Sequence, residues 1–269
     1  MSLAGTVSNL TFTWLDGVSA SQISNRDALV GGGIRSSSGA KGSWRSHMNA
    51  LSPPSMMGRR VNEDTAIDPE AGTDSNIQTS YGDDWDILWL GHCGADFPDA
   101  QSPIPALRIE IPGDETVPVP KHLKPHPFAL KDKLGELYPP HTRVVHASSG
   151  NVCTLAYAVS HQGARKLLSQ FDDHYDAQWD LMLQRWCEGK YTTTDKLGVC
   201  LTVQPPLFSH HYAKGGASNI LSQGGGYAKG TGTPYIRLSV RQNIDRLVAG
   251  AREGELVDQL PDDGDPIWK

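Results

Sequence analysis

Four groups of polar and aromatic residues in this chain have types and spacings that suit a chemical role. The first, from Gly42 to Leu51, reads GSWRSHMNAL and sets hydroxyl, guanidinium, imidazole and amide groups beside one indole ring. Sugar hydroxyl groups bind such polar side chains, and an aromatic ring can stack on the apolar face of a sugar. Ser46, His47 and Asn49 are therefore candidate substrate-binding residues. The alternative is the start of a surface helix capped by Ser43.

Closely spaced carboxylates form the second group and include Asp84 and Asp86. Carboxylate oxygens are the ligands that Mg²⁺ and Mn²⁺ prefer, so the two residues are candidate metal ligands. Their order in the chain favours a structural turn instead, because they precede the apolar run 87–90, whereas ligand-binding acids in α/β enzymes follow a strand. His92 comes after this run and is better placed for binding. A lone histidine, however, is more often a hydrogen-bonded structural residue than a catalyst.

A single carboxylate and a pair of histidines complete the candidates. Asp180 lies in the first turn of a predicted helix, where the helix dipole favours a negative charge. A carboxylate held there can take the proton of an acceptor hydroxyl group, or it can merely stabilise the helix. His210 and His211 follow a predicted strand, and adjacent side chains of an extended segment point in opposite directions. They cannot easily share one metal, but one of them could bind a metal held elsewhere or a diphosphate.

Alternating strands and helices must position these residues. Apolar runs predict strands at residues 10–14, 86–90, 152–159 and 197–203. Capping residues followed by apolar side chains at helical spacing predict helices that begin after Ser160, Asp176 and Ser239. Strands that alternate with helices indicate an α/β domain, whose ligands are expected beyond the carboxyl ends of the strands.

Three stretches interrupt this alternation. Residues 30–41 are rich in Gly and Ser, and residues 51–80 are polar and broken by proline, so both are predicted to be loops or disordered. Ten of the 18 prolines fall in residues 98–140, which predicts a long, mostly extended excursion with little helix. Residues 251–269 form an acidic tail with few apolar side chains and are predicted to be disordered.

Composition and charge exclude several classes of function. The chain has 269 residues, 38% of them hydrophobic, and a formal net charge of −6. No basic run could follow a phosphate backbone, so nucleic acid is not an expected partner. No apolar stretch is long enough to span a bilayer and no signal peptide begins the chain, which predicts a soluble protein. The sequence does not indicate its cellular compartment. The four cysteines lack metal-ligand spacing and are expected to be small buried apolar residues: Cys93, Cys153, Cys187 and Cys200.

Taken together and in order, residues 11–18, 42–51, 82–94, 153–168, 179–187 and 200–212 resemble fungal members of glycosyltransferase family 25. The string Trp-Leu-Gly-His-Cys-Gly at residues 89–94 is the most specific of the shared motifs. The family also includes enzymes similar to lipopolysaccharide and collagen galactosyltransferases. The resemblance implies a GT-A-like, Rossmann-like nucleotide-sugar-binding domain over residues 1–250. It further implies transfer of a hexose, typically galactose, from a UDP-sugar to a glycan or other acceptor hydroxyl with inversion, and an Mn²⁺ or Mg²⁺ cofactor.

The resemblance also assigns roles by position. It implies that Asp180 is the catalytic base, that Ser46 and His47 form a Ser-His motif, and that Tyr157 and Ser160 belong to a Tyr-x-x-Ser segment of the substrate site. In such a mechanism one carboxylate acts as base while the metal neutralises the leaving diphosphate.

Departures from the family pattern concern the donor and metal site. Relatives begin with an additional strand ahead of the point where this chain starts, and after the Ser-His motif they have an apolar strand that ends in a Glu-Asp-Asp type motif. Here Leu51 is followed by Ser-Pro-Pro and a polar stretch, and Asn219 stands near the position of a family Asp. The sequence therefore predicts impaired donor binding. It leaves open a non-catalytic relative that binds a carbohydrate or a protein, and a truncated gene product.

Overall fold

A five-stranded mixed sheet organises the part of the chain that the computed structural model describes, residues 15–19, 21, 23, 38–51, 84–123, 132–172, 174–191, 197–212 and 232–266. The strands are β1 (Ile87–Gly91), β2 (Arg108–Pro112), β3 (Thr142–Ala147), β4 (Ala156–Val159) and β5 (Cys200–Gln204), in the spatial order β2-β3-β5-β1-β4. β1 and β5 are parallel, and the other neighbouring pairs are antiparallel. The mixed α/β class is confirmed. The strand predicted at residues 10–14 and position 219 lie outside the described residues.

Helices flank this sheet at the places where apolar spacing predicted most of them. They are α1 (Ser38–Leu51), α2 (Lys133–Leu137), α3 (His161–Phe171), α4 (Trp179–Cys187) and α5 (Val240–Val248). Ser160 caps α3 as predicted, because its side chain accepts a hydrogen bond from Gly163 N. α4 begins later than predicted, after Gln178, and the Asp176 carboxylate instead accepts a hydrogen bond from Tyr191 Oη at 2.7 Å. No helix in the described ranges is long and apolar enough to cross a bilayer.

The larger hydrophobic core joins the β1–β4 end of the sheet to α1, α3 and α4. Its largest side chains have relative exposures of 2% or less, and fully burying each of them stabilises the fold by about 1.5–3 kcal/mol. They are Trp44, Met48, Ile87, Trp89, Leu167, Phe171, Trp179, Met182 and Leu183. α3 approaches β1 closely because residue 163 is glycine: a Cβ there would lie 2.3 Å from the backbone oxygen of Asp86.

The prediction for residues 30–41 is wrong in part, whereas the described parts of residues 98–140 contain little helix, as predicted. Residues 38–41 form the first turn of α1, because Ala40 shares one helix face with Trp44 and Met48 and is buried with them. The alternative start after Ser43 is therefore wrong as well. Residues 98–140 include β2 and α2. β2 tolerates Pro112 because it lies at the edge of the sheet, where a missing backbone N–H breaks no ladder. Residues 30–37 and 52–80 lie outside the described part.

The acidic tail is ordered between residues 251 and 266, contrary to the prediction of disorder. Leu260 is fully buried, and Asn243 of α5 exchanges hydrogen bonds with both backbone groups of Val257 at 2.9 and 2.7 Å. Arg237 binds the carboxylate of Asp258 at 2.6 Å. Composition misjudged this segment because a few specific contacts offset its low hydrophobicity and high charge.

The cysteines were expected to be small buried apolar residues; Cys187 and Cys200 are buried, but all four form disulfides that the sequence did not predict. Cys93 is bonded to Cys153, and Cys187 is bonded to Cys200, with Cα–Cα distances of 5.5 and 5.7 Å. The first disulfide joins the turn after β1 to the loop before β4, and the second joins the end of α4 to β5. These contacts are set by the sheet topology, so the spacing of the cysteines along the chain did not reveal them.

Candidate functional site

Three side chains from distant segments meet beside the middle of β1. They are His47 on α1, Tyr157 on β4 and Trp179 on α4, called the His47 cluster below. Tyr157 lies next to β1 because it pairs with Trp89 in the sheet register. The Nδ1 atom of His47 is 2.8 Å from the Tyr157 hydroxyl oxygen. The His47 ring stacks on the Trp179 indole, with ring centroids 5.3 Å apart and planes inclined by 16°.

Burial keeps the titratable members of the His47 cluster neutral at pH 7. Burial lowers the pKa of His47 to about 4. It raises the pKa of Tyr157 to about 12, opposed only by the hydrogen bond from Trp179. Trp179 Nε1 donates to the Tyr157 oxygen at 3.3 Å, so that hydroxyl can direct its own proton to Nδ1 of His47. When the Tyr157 hydroxyl donates to Nδ1, the proton of the neutral His47 ring is on Nε2.

Asp180 follows Trp179 directly and is held by the backbone of Cys153. Its Oδ2 atom accepts a hydrogen bond from Cys153 N at 2.9 Å. Cys153 has a positive φ of 64°, which is uncommon for a residue with a side chain. Two further contacts fix this residue, a hydrogen bond from Trp89 Nε1 to its carbonyl oxygen at 2.9 Å and the disulfide to Cys93. The Asp180 carboxylate of α4 is thus anchored to a loop of restrained geometry that precedes β4.

The other residues of the Ser-His and Tyr-x-x-Ser motifs play structural parts, and Ser160 lies at the opposite end of β1, where its backbone N donates to Asp86 O at 3.0 Å. Ser46 Oγ donates to Gly42 O at 2.7 Å and accepts a hydrogen bond from Val18 N at 2.9 Å. Ser46 therefore attaches the segment around Val18 to α1. Asn49 is half-buried two residues beyond His47 on the same helix. Ser160 serves as the cap of α3.

The three remaining candidate histidines lie apart from the His47 cluster. His92 is buried, and its Nε2 atom donates to the carbonyl oxygen of Val203 at 2.9 Å. His211 Nδ1 is 2.9 Å from the hydroxyl oxygen of Thr233. Its pKa is lowered by burial first, and then by the positive charges of Arg241 and His210. His210 is exposed and meets the Tyr212 ring edge-on with centroids 4.9 Å apart.

The acidic residues before β1 form a structural contact at the opposite end of that strand. Asp86 is buried, both of its carboxylate oxygens lie 2.8 Å from Lys166 Nζ, and Oδ2 also accepts from Val199 N. Asp84 is exposed. Within the described ranges, no group of three or more His, Cys, Asp or Glu side chains is arranged to hold a metal ion. Binding of Mn²⁺ or Mg²⁺ stays a prediction.

Comparisons of the chain with protein-family models, curated proteins and solved structures find no match. Membership of glycosyltransferase family 25 therefore stays a prediction from sequence motifs. What the structure adds is the arrangement of the motif residues. His47 contacts Tyr157 and stacks on Trp179, the residue before Asp180, whereas Asp86, His210 and His211 have other partners.

A small pocket that the sequence did not suggest lies beyond the ends of β1 and β5. Its lining includes Gln204, Asp132 and Tyr235, together with His92 and Pro205. Burial raises the pKa of Asp132, although hydrogen bonds from the backbone of Gly135 and Leu134 oppose the shift. Burial also raises the pKa of Tyr235 above its usual range. The only sequence signal for Asp132 was its position as a cap residue ahead of the short helix α2.

Proposed function

We propose that this chain is a GT-A-like glycosyltransferase that moves a hexose, galactose by resemblance, from a UDP-sugar to an acceptor hydroxyl group. The observation that carries the proposal is the contact between His47 and Tyr157 beside Trp179, the residue that precedes Asp180. All three motif residues, His47, Tyr157 and Asp180, were singled out by the resemblance. Asp180 is held by Cys153, whose disulfide partner Cys93 follows the carboxyl end of β1. Ligands of open α/β sheets bind at the carboxyl ends of the strands, so the position suits a substrate site.

In the proposed reaction Asp180 is the general base. The bond from Cys153 N holds Oδ2, and Oδ1 takes the proton of the acceptor hydroxyl as its oxygen attacks the anomeric carbon. The bond between that carbon and the diphosphate oxygen breaks, and UDP leaves with the electron pair. Attack from the side opposite the leaving group inverts the anomeric configuration.

His47 has a binding role in this proposal. Its ring is half-buried, it is neutral at pH 7 because burial lowers its pKa to about 4, and it can donate a hydrogen bond from Nε2 to a sugar hydroxyl. Trp179 and Tyr157 fix the orientation of the ring. Both are themselves largely buried, so they act on the ligand through His47.

The family-implied Mn²⁺ or Mg²⁺ has no fitting set of ligands in the described residues, and no step of the proposal passes through it. The two disulfides do bear on compartment. Disulfides persist in oxidising environments such as the endoplasmic reticulum lumen. The secretory pathway is therefore the compartment that we include in the proposal.

Isothermal titration calorimetry of the purified chain with UDP tests the donor part of the proposal, with and without Mn²⁺. We expect saturable heat that depends on both UDP and Mn²⁺. A folded sample, shown by a cooperative thermal transition, that gives no heat with UDP under either condition would contradict the donor assignment.

A non-catalytic carbohydrate-binding relative is the second candidate. It is favoured by the internal hydrogen bonds of the site, since Tyr157 Oη and Asp180 Oδ2 both bond within the protein. Binding of the intact chain to an array of glycans distinguishes the two. Glycan binding that persists in His47→Gln and is unaffected by UDP supports the binding protein, whereas competition or enhancement by UDP supports the transferase.

A further inference from the structure

Strand β2 carries an exposed apolar stripe at the edge of the sheet. Leu107, Ile109 and Ile111 have relative exposures of 54%, 55% and 43%. In the described part of the chain β2 pairs with β3 on one side only. Large apolar side chains along an open strand edge favour pairing with another chain.

The backbone of β2 presents alternate residues to the open side. Ala147 N donates to Leu107 O, and the antiparallel register then aligns Ile109 with Val145 and Ile111 with Arg143. In an antiparallel ladder, every second residue directs its N–H and C=O groups to the neighbouring strand; here these are Leu107, Ile109 and Ile111. The residues between them direct their backbone groups outward. Arg108 and Glu110 therefore offer backbone hydrogen bonds to a further strand.

We propose that β2 pairs antiparallel with β2 of a second copy of this chain, about a two-fold axis at Ile109. In this register Arg108 lies opposite the partner's Glu110, and by symmetry Glu110 lies opposite the partner's Arg108. These are the residues with outward backbone groups, so each opposed pair can exchange both of its hydrogen bonds. Ile109 meets the partner's Ile109, and Leu107 meets the partner's Ile111.

Charge complementarity favours β2 of a second copy as the pairing strand, and it also selects the register of the pair. Opposite charges on directly opposed strand residues stabilise a pair, and like charges destabilise it. An axis at Glu110 would oppose two carboxylates and would place Pro112, which has no N–H, at a hydrogen-bonding position. An axis at Arg108 would oppose two guanidinium groups. The axis at Ile109 alone joins unlike charges on one face and apolar side chains on the other.

The symmetry of this contact closes it after two copies. An isologous interface uses the same strand on both sides, so each β2 edge is consumed and the two sheets become one. A single strand pair buries less than the roughly 1,200 Å² of a standard interface. We therefore expect a dimer that depends on protein concentration.

Sedimentation velocity of the whole chain from about 1 µM to about 200 µM, the weak end of protein association, tests the dimer. The expected result is a shift from monomer to dimer with concentration. Glu110→Arg, which opposes two positive charges twice, should shift the midpoint to at least about tenfold higher concentration. Asp245→Arg makes the same change of charge on the exposed face of α5 and should leave the midpoint unchanged.

Cross-linking under mild oxidation tests the register. In Ile109→Cys the two introduced thiols lie on the axis, where opposed Cα atoms are about 4.5 Å apart, and a covalent dimer should form. In Ile111→Cys the introduced thiols are about 14 Å apart along the strands and should not join. A chain that stays monomeric at every concentration overturns the proposal. So does a dimer that Glu110→Arg leaves intact, or one that Ile111→Cys cross-links as readily as Ile109→Cys.

Discussion

His47 and Asp180 differ in how the fold holds them. His47 is neutral because burial lowers its pKa to about 4, and its partners are an aromatic ring and a hydroxyl group. Asp180 is half-buried and is held by a backbone N–H from a residue with positive φ. In the proposed function the neutral His47 binds a sugar hydroxyl and the oriented Asp180 carboxylate accepts the proton of the acceptor hydroxyl.

The lowered pKa of His47 predicts acid sensitivity of the fold. The unfolded chain takes up a proton at His47 near pH 6.5, whereas the folded chain does so only near pH 4. The stability that neutral His47 provides is therefore fully present above pH 6.5 and is lost as pH falls from 6.5 towards 4. His47→Gln should lose less free energy of unfolding than the parent between about pH 7 and about pH 5. Urea unfolding at the two pH values measures this.

His161→Gln is the matched control for the acid-sensitivity prediction, since His161 is exposed on α3. It should retain the full pH dependence of the parent. Equal acid sensitivity in His47→Gln and the parent would show that His47 is not buried as described.

At the scale of elements, the sequence predicted the strands and helices whose apolar residues recur at a regular local spacing. β1, β5 and α3 follow from apolar runs and a serine cap. β2 was missed because its five residues lie among prolines and gain order only by pairing with β3, which is far along the chain. The disulfides were missed for the same reason, because strand order brings their cysteines together. The His47 cluster was found only in part: the motifs named His47 and Tyr157, while the stacking on Trp179 needed the crossing of α1 and α4.

The disulfide between Cys93 and Cys153 is expected to affect both the stability of the fold and the site. It closes a loop of 60 residues, against 13 for Cys187–Cys200. Loop-closure entropy then predicts that Cys93→Ser with Cys153→Ser costs about 4 kcal/mol, and Cys187→Ser with Cys200→Ser about 3 kcal/mol. Guanidinium unfolding measures both.

Only the first of the two double variants should also weaken UDP-sugar turnover at temperatures where both remain folded. The reason is that Cys153 N holds the Asp180 carboxylate. Equal turnover in the two double variants would separate the disulfide from the site.

At the scale of the whole molecule, the acidic tail packs against α5 and the proline-rich region. Leu260 is buried, and His122 Nε2 donates to the carbonyl oxygen of Pro261 at 2.8 Å. The segment thus joins the proline-rich region to α5. Composition could not predict this docking, because average hydrophobicity does not report one buried leucine and a few matched polar contacts.

Leu260→Ala should lower the free energy of unfolding by about 2–5 kcal/mol, because it leaves a cavity where the side chain is fully buried. Val248→Ala on α5 is the control, since Val248 is 56% exposed, and its effect should stay within about 0.5 kcal/mol. Thermal unfolding of the intact chain compares them. A Leu260→Ala chain as stable as the parent would mean that the tail is not part of the folded unit.

We propose that Asp180 is the base of a glycosyl transfer, and UDP release from UDP-galactose with hydroxyl-bearing acceptors measures this most directly. Asp180→Asn keeps the size and the hydrogen bond from Cys153 N but removes the base, so the turnover rate should fall by at least about 100-fold. Asp245→Asn, on the exposed face of α5, should keep the parent rate. Acceptor-dependent UDP release that is equal in Asp180→Asn and the parent, or absent from a folded parent chain, would contradict the account.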